Sequence, residues 1–201
     1  ADERLSQREP VLIITHGLPG SGKTTFAQAA LEKLQLIRIR SDVERKRLFG
    51  LSKLWDSGTH PESIYSADAT SLTYQRLHEL SENLLRSGVG VIVDAAFLQE
   101  DERESFRRLA NKMNVPFAIA SLQATPAILP IRIVQRRESG NDASEADLSV
   151  LEKLRSHQQA LTSDERVRAV EFSNEGNGFS DDAAAWRRLG NLISPLGPPD
   201  I

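Results

Sequence analysis

Cysteine is absent from the 201 residues, which excludes disulfides, thiolate metal sites and a cysteine nucleophile. Long apolar runs are absent as well. No stretch approaches the ~18 residues needed to cross a bilayer, and the charged start over residues 1–10 has no signal-peptide core. The expectation is a cytoplasmic protein with no membrane partner. Strong charge of one sign is also missing: the formal net charge is −3, which gives no electrostatic reason to expect nucleic acid as the main partner. His16, His60, His78 and His157 show no metal-ligand spacing on a helix, so no zinc site is expected. His16 is expected to pack or hydrogen-bond locally.

What is present is ordinary in amount, 39% apolar and 26% charged residues, and enough for one α/β domain with a real core. The pattern alternates between two periods. Residues 11–14 are a short apolar, β-branched run typical of a buried parallel strand. From Lys23 to Leu34, Phe26, Ala27, Ala30, Leu31 and Leu34 fall on one helical face. A strand is predicted over 36–39, then a short helix over 43–49 with Ser41 or Asp42 as its N-cap. Residues 50–66, with Gly50, Gly58, Pro61, Trp55 and Tyr65, read as an irregular excursion over the mouth of the sheet. A long helix over 67–87 presents Leu72, Leu77, Leu80, Leu84 and Leu85, and Gly88 stops it.

A third strand over 90–93 ends at Asp94, and a charged helix over 100–113 turns Phe106 and Leu109 inward. There follow a strand over 115–122, a helix over 127–137, a polar turn over 138–145 and a helix over 146–161. A strand over 167–172 and a helix over 181–193 opened by Ser180 close the pattern. The organisation expected is a linker over 1–10, a domain over 11–195 with a lid at about 132–146, and a Pro/Gly-rich tail over 196–201. Strands alternating with helices imply a parallel sheet between helix layers. Such sheets bind ligands beyond the carboxyl ends of their strands. Three chemistry-bearing clusters fall there: after Ile14, after Ile39 and after Val93.

The first cluster, Gly17-Leu18-Pro19-Gly20-Ser21-Gly22-Lys23-Thr24-Thr25, fits G-x-x-x-x-G-K-[ST] between a strand and a helix. Glycines let successive N–H groups turn inward onto phosphate oxygens, and the following helix adds the positive end of its dipole. Lys23 is expected at the β- and γ-phosphates, and the Thr24 hydroxyl suits a magnesium ion. ATP with Mg²⁺ is the expected cofactor pair. No N-K-x-D base-reading motif is present, so ATP and GTP stay open. The loop alone does not say whether water or a substrate hydroxyl attacks.

Asp42, after the second strand, is placed across the cleft from the P-loop, where a carboxylate can accept the proton of an attacking hydroxyl. It can equally serve as a helix cap. Arg45, one turn on, suits an acceptor or a phosphate. Asp94 suits the strand-end carboxylate that holds Mg²⁺ directly or through water. Arg132 and Arg136, an i, i+4 pair, suit a lid that closes over developing charge. Gly140-Asn141-Asp142 is the flexible turn behind them.

On the stretches 17–25, 40–46, 91–97, 132–136 and 142–146, the chain resembles the P-loop kinases that include zeta toxins, gluconate kinase and the kinase domain of polynucleotide kinase. It is more closely similar to the ATP-binding domains fused behind aminoglycoside-phosphotransferase-like domains in bacteria. The resemblance implies a five-stranded sheet in the order 2-3-1-4-5. It also implies Asp42 as base, Arg45 on the acceptor side, Arg132 and Arg136 as lid arginines, and an N-terminal fusion partner. It names no acceptor. A kinase acting on a hydroxyl of a small molecule is the foremost expectation. Alternatives are a nucleotide-binding regulatory module with slow hydrolysis, a zeta-toxin-like nucleotide-sugar kinase and a polynucleotide 5′-hydroxyl kinase, the last disfavoured by the acidic overall charge.

Overall fold

The computed structural model describes residues 9–51, 66–139, 147–175 and 182–194. Five strands, β1 (Leu12–His16), β2 (Ile37–Arg40), β3 (Val91–Asp94), β4 (Phe117–Gln123) and β5 (Ala169–Ser173), form one sheet in the order β2-β3-β1-β4-β5. Every pairing is parallel. Between and after them lie α1 (Lys23–Leu34), α2 (Ser41–Leu48), α3 (Ala67–Arg86), α4 (Glu100–Met113), α5 (Ile128–Ser139), α6 (Leu148–His157), α7 (Ser163–Val167) and α8 (Ala183–Ile193). The α/β class and the strand order are those expected. Among the described residues no helix is long and apolar enough to cross a membrane.

Side chains alternate across a strand, yet β1 is apolar at consecutive positions because both of its faces are covered. Ile13 meets Phe26 and Ala30 of α1 and Leu189 of α8 on one side. Leu12 and Ile14 face Leu77 and Leu85 of α3 and Phe106 and Leu109 of α4 on the other. Phe26, Phe172 and Trp186 interlock with ring centroids 4.6, 5.1 and 5.3 Å apart.

Several local expectations change. β1 continues through Thr15 and His16, because Thr15 Oγ1 donates to Ala95 O at 2.7 Å and accepts from Ala95 N at 3.1 Å. Helix α2 starts at Ser41 with Arg40 as its N-cap, so neither Ser41 nor Asp42 caps it. The helix read over 146–161 ends at His157. A capping box of Thr162 and Glu165 then opens the separate α7, and Val167, expected in a strand, is its 73% exposed end. Local capping here overrides the apolar alternation that suggested a strand. Leu72, expected inward, is 51% exposed, since the packed stripe of α3 is Ala69, Thr73, Leu77, Ser81 and Leu85 at i+4 steps.

Asp182 caps α8, accepting from Ala185 N. Ser180, the cap expected for it, lies outside the described residues. So do residues 1–8 of the linker, 52–65 of the excursion with Trp55 and Tyr65, 140–146 of the lid turn, and the tail.

Charged side chains are buried too, Glu44, Arg45, Lys46, Asp94 and Arg103 among the described residues. Arg103 on α4 is fully buried and paired with Glu165, its Nε 2.6 Å from Oε1 and its Nη2 3.0 Å from Oε2. It also donates to Phe97 O at 3.1 Å and Ala160 O at 3.3 Å. One guanidinium thus ties α4, the turn after β3 and the approach to α7 together. Arg103→Ala strands the Glu165 carboxylate, and chemical denaturation should show a loss of about 3–5 kcal/mol. Arg108→Ala, on an exposed pair with Glu104, should lose less than about 1 kcal/mol. Equal losses for the two variants would contradict this ranking.

Candidate functional site

The turn between β1 and α1 has three glycines with positive φ: Gly17 at 147°, Gly20 at 83° and Gly22 at 97°. Two of them are also wedged. A Cβ on Gly17 would lie 2.6 Å from Leu122 O, and one on Gly20 would lie 2.8 Å from Leu129 O. The loop therefore takes this shape only with hydrogen at both positions. Gly22 is the N-cap of α1, makes no side-chain cap, and is followed by a first turn without acids. The helix thus opens onto the cleft with its backbone donors uncapped by side chains.

Lys23 folds back over the loop and donates to Gly17 O and Leu18 O, both at 2.9 Å. Burial lowers its pKa to about 8 against the pull of Asp94 and Asp42. Thr24 Oγ1 donates to Asp94 Oδ2 at 3.1 Å, and Arg40 Nε stands 3.6 Å from the same oxygen. Burial pushes the Asp94 carboxyl above its usual range despite Lys23 and Arg40. The neighbouring His16 ring is buried, with Nδ1 3.0 Å from Ser121 Oγ. Burial, then Arg103 and Lys23, holds its pKa near 4, so it stays neutral.

A cleft of about 770 Å³ runs along the carboxyl ends of the strands. Pro19, Gly20, Gly22, Lys23, Thr24 and Thr25 form one wall, and Asp94 lies at its floor end. Asp42 and Arg45 line the same cleft from α2, and Arg132 and Arg136 line it from α5. Seven separately expected residues are thus brought together: Lys23, Thr24, Asp42, Arg45, Asp94, Arg132 and Arg136. Gly17, Leu18 and Ser21 are not among the lining residues; Gly17 is wedged against Leu122 O, Leu18 packs against Leu129, Ile133 and Leu151, and Ser21 is buried. Arg45 Nη1 donates to Thr70 Oγ1 at 3.3 Å. Arg132 donates to Gly20 O at 3.4 Å and to Asn174 O at 2.9 Å.

Reading by sequence missed further cleft residues, among them Thr70, Tyr74, Gln99, Glu102, Lys153 and Asn174. Thr70 and Tyr74 are one helical turn apart on α3, a spacing seen only once that helix is known to border the cleft. Tyr74 Oη accepts from Phe97 N at 3.0 Å. Glu102 forms a capping box with Gln99, and burial raises its pKa to about 7. Asn174 follows β5 directly, so the rule about strand ends marks it too.

Residues 12–161 match the model of a family described as an AAA domain, AAA_33. The chain belongs to this family. Among curated relatives of this AAA domain, an uncharacterized protein of Mycobacterium tuberculosis H37Rv is 28% identical over 145 residues, which is 72% of this chain. An uncharacterized protein of Mycobacterium bovis gives the same figures. The chain spans 29% of the length of these relatives. Three solved structures superpose on it. A protein of Chloroflexus aurantiacus j-10-fl has a TM-score of 0.70 at 21% identity, covering 93% of this chain and all of its own. A gluconokinase of Sinorhizobium meliloti 1021 has 0.64 at 20%, covering 92% and 95%. Kti12 of Chaetomium thermophilum, in complex with ADP-AlF3, has 0.66 at 20%, covering 91% and 99%. At these identities the likeness establishes the P-loop fold.

Two outcomes follow for nucleotide binding, both read by calorimetric titration with Mg-ADP. Gly20→Ala should weaken binding roughly ten- to hundredfold through backbone strain with an unchanged far-UV circular dichroism spectrum; parent-like affinity would contradict the wedged loop. The second concerns pH. Phosphate favours the Lys23 ammonium, and the free domain loses that proton near pH 8. Affinity should therefore fall as pH rises from 8 to 9.5, by up to about tenfold per unit. Lys23→Arg should bind without that fall. A flat parent profile would refute the assignment.

Proposed function

We propose that this AAA domain is a kinase that transfers the γ-phosphoryl group of ATP to a hydroxyl of a small molecule. The observation that carries the reading is one cleft with a phosphate loop on one side and a carboxylate, Asp42, on the other. Asp42 lies in the first turn of α2 without capping it, which leaves its oxygens available. In the proposed step the acceptor oxygen forms a bond to the γ-phosphorus as the bond from that phosphorus to the bridging oxygen of ADP breaks. Asp42 takes the hydroxyl proton. Arg45 orients the acceptor. Lys23 turns from the loop carbonyls to the phosphates, and Arg132 and Arg136 neutralise charge that develops on the transferred group.

Magnesium fits Thr24 and Asp94. Asp94 is a buried carboxylate pushed toward its neutral form, which is how an anion short of positive charge behaves. Among the described residues no three His, Asp or Glu side chains could cage a metal by themselves. That suits an ion held by one or two protein oxygens with phosphate and water completing the shell. When bound, it would supply neutralisation of the β- and γ-oxygens. An N-terminal aminoglycoside-phosphotransferase-like neighbour domain is part of the proposal on the sequence resemblance alone.

The test is ADP release from Mg-ATP across a panel of sugars, polyols, aminocyclitols and nucleosides. With an acceptor in hand, Asp42→Asn should lower acceptor-dependent ADP release by about 10²–10⁴-fold while Mg-ADP affinity stays within about threefold of the parent. Undiminished release would remove Asp42 as the base, and release independent of every acceptor would favour a hydrolytic regulatory module.

A further inference from the structure

Asn174 is the first residue beyond β5, nine-tenths buried, at the edge of the cleft. Its backbone N donates to Gln123 O at 2.8 Å, which fixes it against the end of β4. Its carboxamide makes two bonds of opposite sense. Nδ2 donates to Ser21 O at 3.1 Å across 153 residues of chain. Oδ1 accepts from Arg132 Nη2 at 3.3 Å, and the backbone O accepts from the same nitrogen at 2.9 Å. The reverse orientation of the amide would set oxygen against oxygen and nitrogen against nitrogen, so these partners determine it.

A peptide unit is planar, and its N–H points opposite to its C=O. A donor that holds Ser21 O therefore also sets the direction of the Gly22 N–H. Gly22 lines the cleft, and its φ of 97° is outside the range that side-chain-bearing residues hold readily. Without a bond on Ser21 O, no Cβ on the Gly22 side opposes rotation of this peptide. Arg132 adds a second hold by donating to Gly20 O at 3.4 Å.

We propose that Asn174 is a positioning residue for the triphosphate: its carboxamide sets the Ser21–Gly22 peptide with the N–H toward the phosphates and holds Arg132 at the rim of the P-loop. One side chain thereby couples the phosphate cradle to the root of the lid helix α5. The proposal rests on the reading of the cleft as a nucleotide site. It does not depend on the acceptor, so its test uses binding rather than turnover.

The experiment is calorimetric titration of Mg-ADP into the parent, Asn174→Asp and Asn174→Ala, with unfolding midpoints measured in parallel. Asn174→Asp keeps the shape and the acceptor for Arg132 but replaces the donor with an oxygen facing Ser21 O. At pH 8 it should bind roughly five- to hundredfold more weakly than the parent. Asn174→Ala should show a loss of the same order. The ³¹P resonance of the bound β-phosphate should move from its parent position in both variants, because an N–H that faced the phosphates has turned; a merely structural defect would weaken binding and leave that resonance in place. If Asn174→Asp fails to fold, Asn174→Ala is decisive alone: a loss of about fivefold or more supports the proposal, and a smaller one overturns it. A bound β-phosphate resonance that stays at its parent position in both variants also overturns it. Failure of the parent itself to bind Mg-ADP would instead sink the nucleotide reading.

Discussion

Backbone N–H groups face a polyphosphate only where no Cβ blocks the turn and where the peptides cannot rotate back. That constraint organises the domain. Gly17 sits against Leu122 O at the end of β4, and Gly20 against Leu129 O in the first turn of α5. The loop is therefore shaped by the two elements that flank it as well as by its own glycines. Strand β4 must end where it does, and α5 must begin where it does, for the cradle to exist. The core behind it, with Ile13 and Ile14 packed on opposite sides of β1, supplies the rigidity that the short loop lacks.

Charge follows the same geometry. The parallel sheet brings Asp94, at the end of β3, within hydrogen-bonding distance of the Thr24 hydroxyl at the start of α1. Arg40, at the end of β2, approaches the same carboxylate. Burial lowers Lys23 and raises Asp94, so each is held partly toward its neutral form. An anionic ligand at Lys23 and a cation at Asp94 would both relieve that stress. His16, one residue before the loop, stays neutral and adds no charge to compete. Arg103, on the far side of the same turn, keeps the Phe97 carbonyl in place without entering the cleft.

Much of this was legible in the residues. The strand–glycine turn–helix sequence over 11–34 specified its own conformation, because the pattern of positive-φ glycines has few other uses. Alternation of short apolar runs with amphipathic segments specified the layers. Asp42, Arg45, Asp94, Arg132 and Arg136 were legible as strand-end or helix-face positions once the sheet was taken as parallel, and all of them line the cleft. What was not legible depends on tertiary partners. Arg103 reads as one more surface arginine on a charged helix, and only Glu165, 62 positions away, makes it a core residue. Asn174 is marked by its place just after β5, but its role shows only when Ser21 and Arg132 are seen on either side of it. The break between α6 and α7 was carried by Thr162 and Glu165, a local capping signal that the longer apolar pattern masked.

In the proposed complex the triphosphate lies in the P-loop with its terminal phosphate turned toward Asp42. The most direct measurement is a crystal structure with Mg-AMPPNP bound. In it Lys23 Nζ should leave Gly17 O and Leu18 O for phosphate oxygens, the metal should sit at Thr24 and Asp94, and the γ-phosphate should face Asp42 across an open space sized for an acceptor. Phosphates bound elsewhere, or an Asp42 carboxylate walled off from the γ-phosphate by intervening side chains, would contradict it.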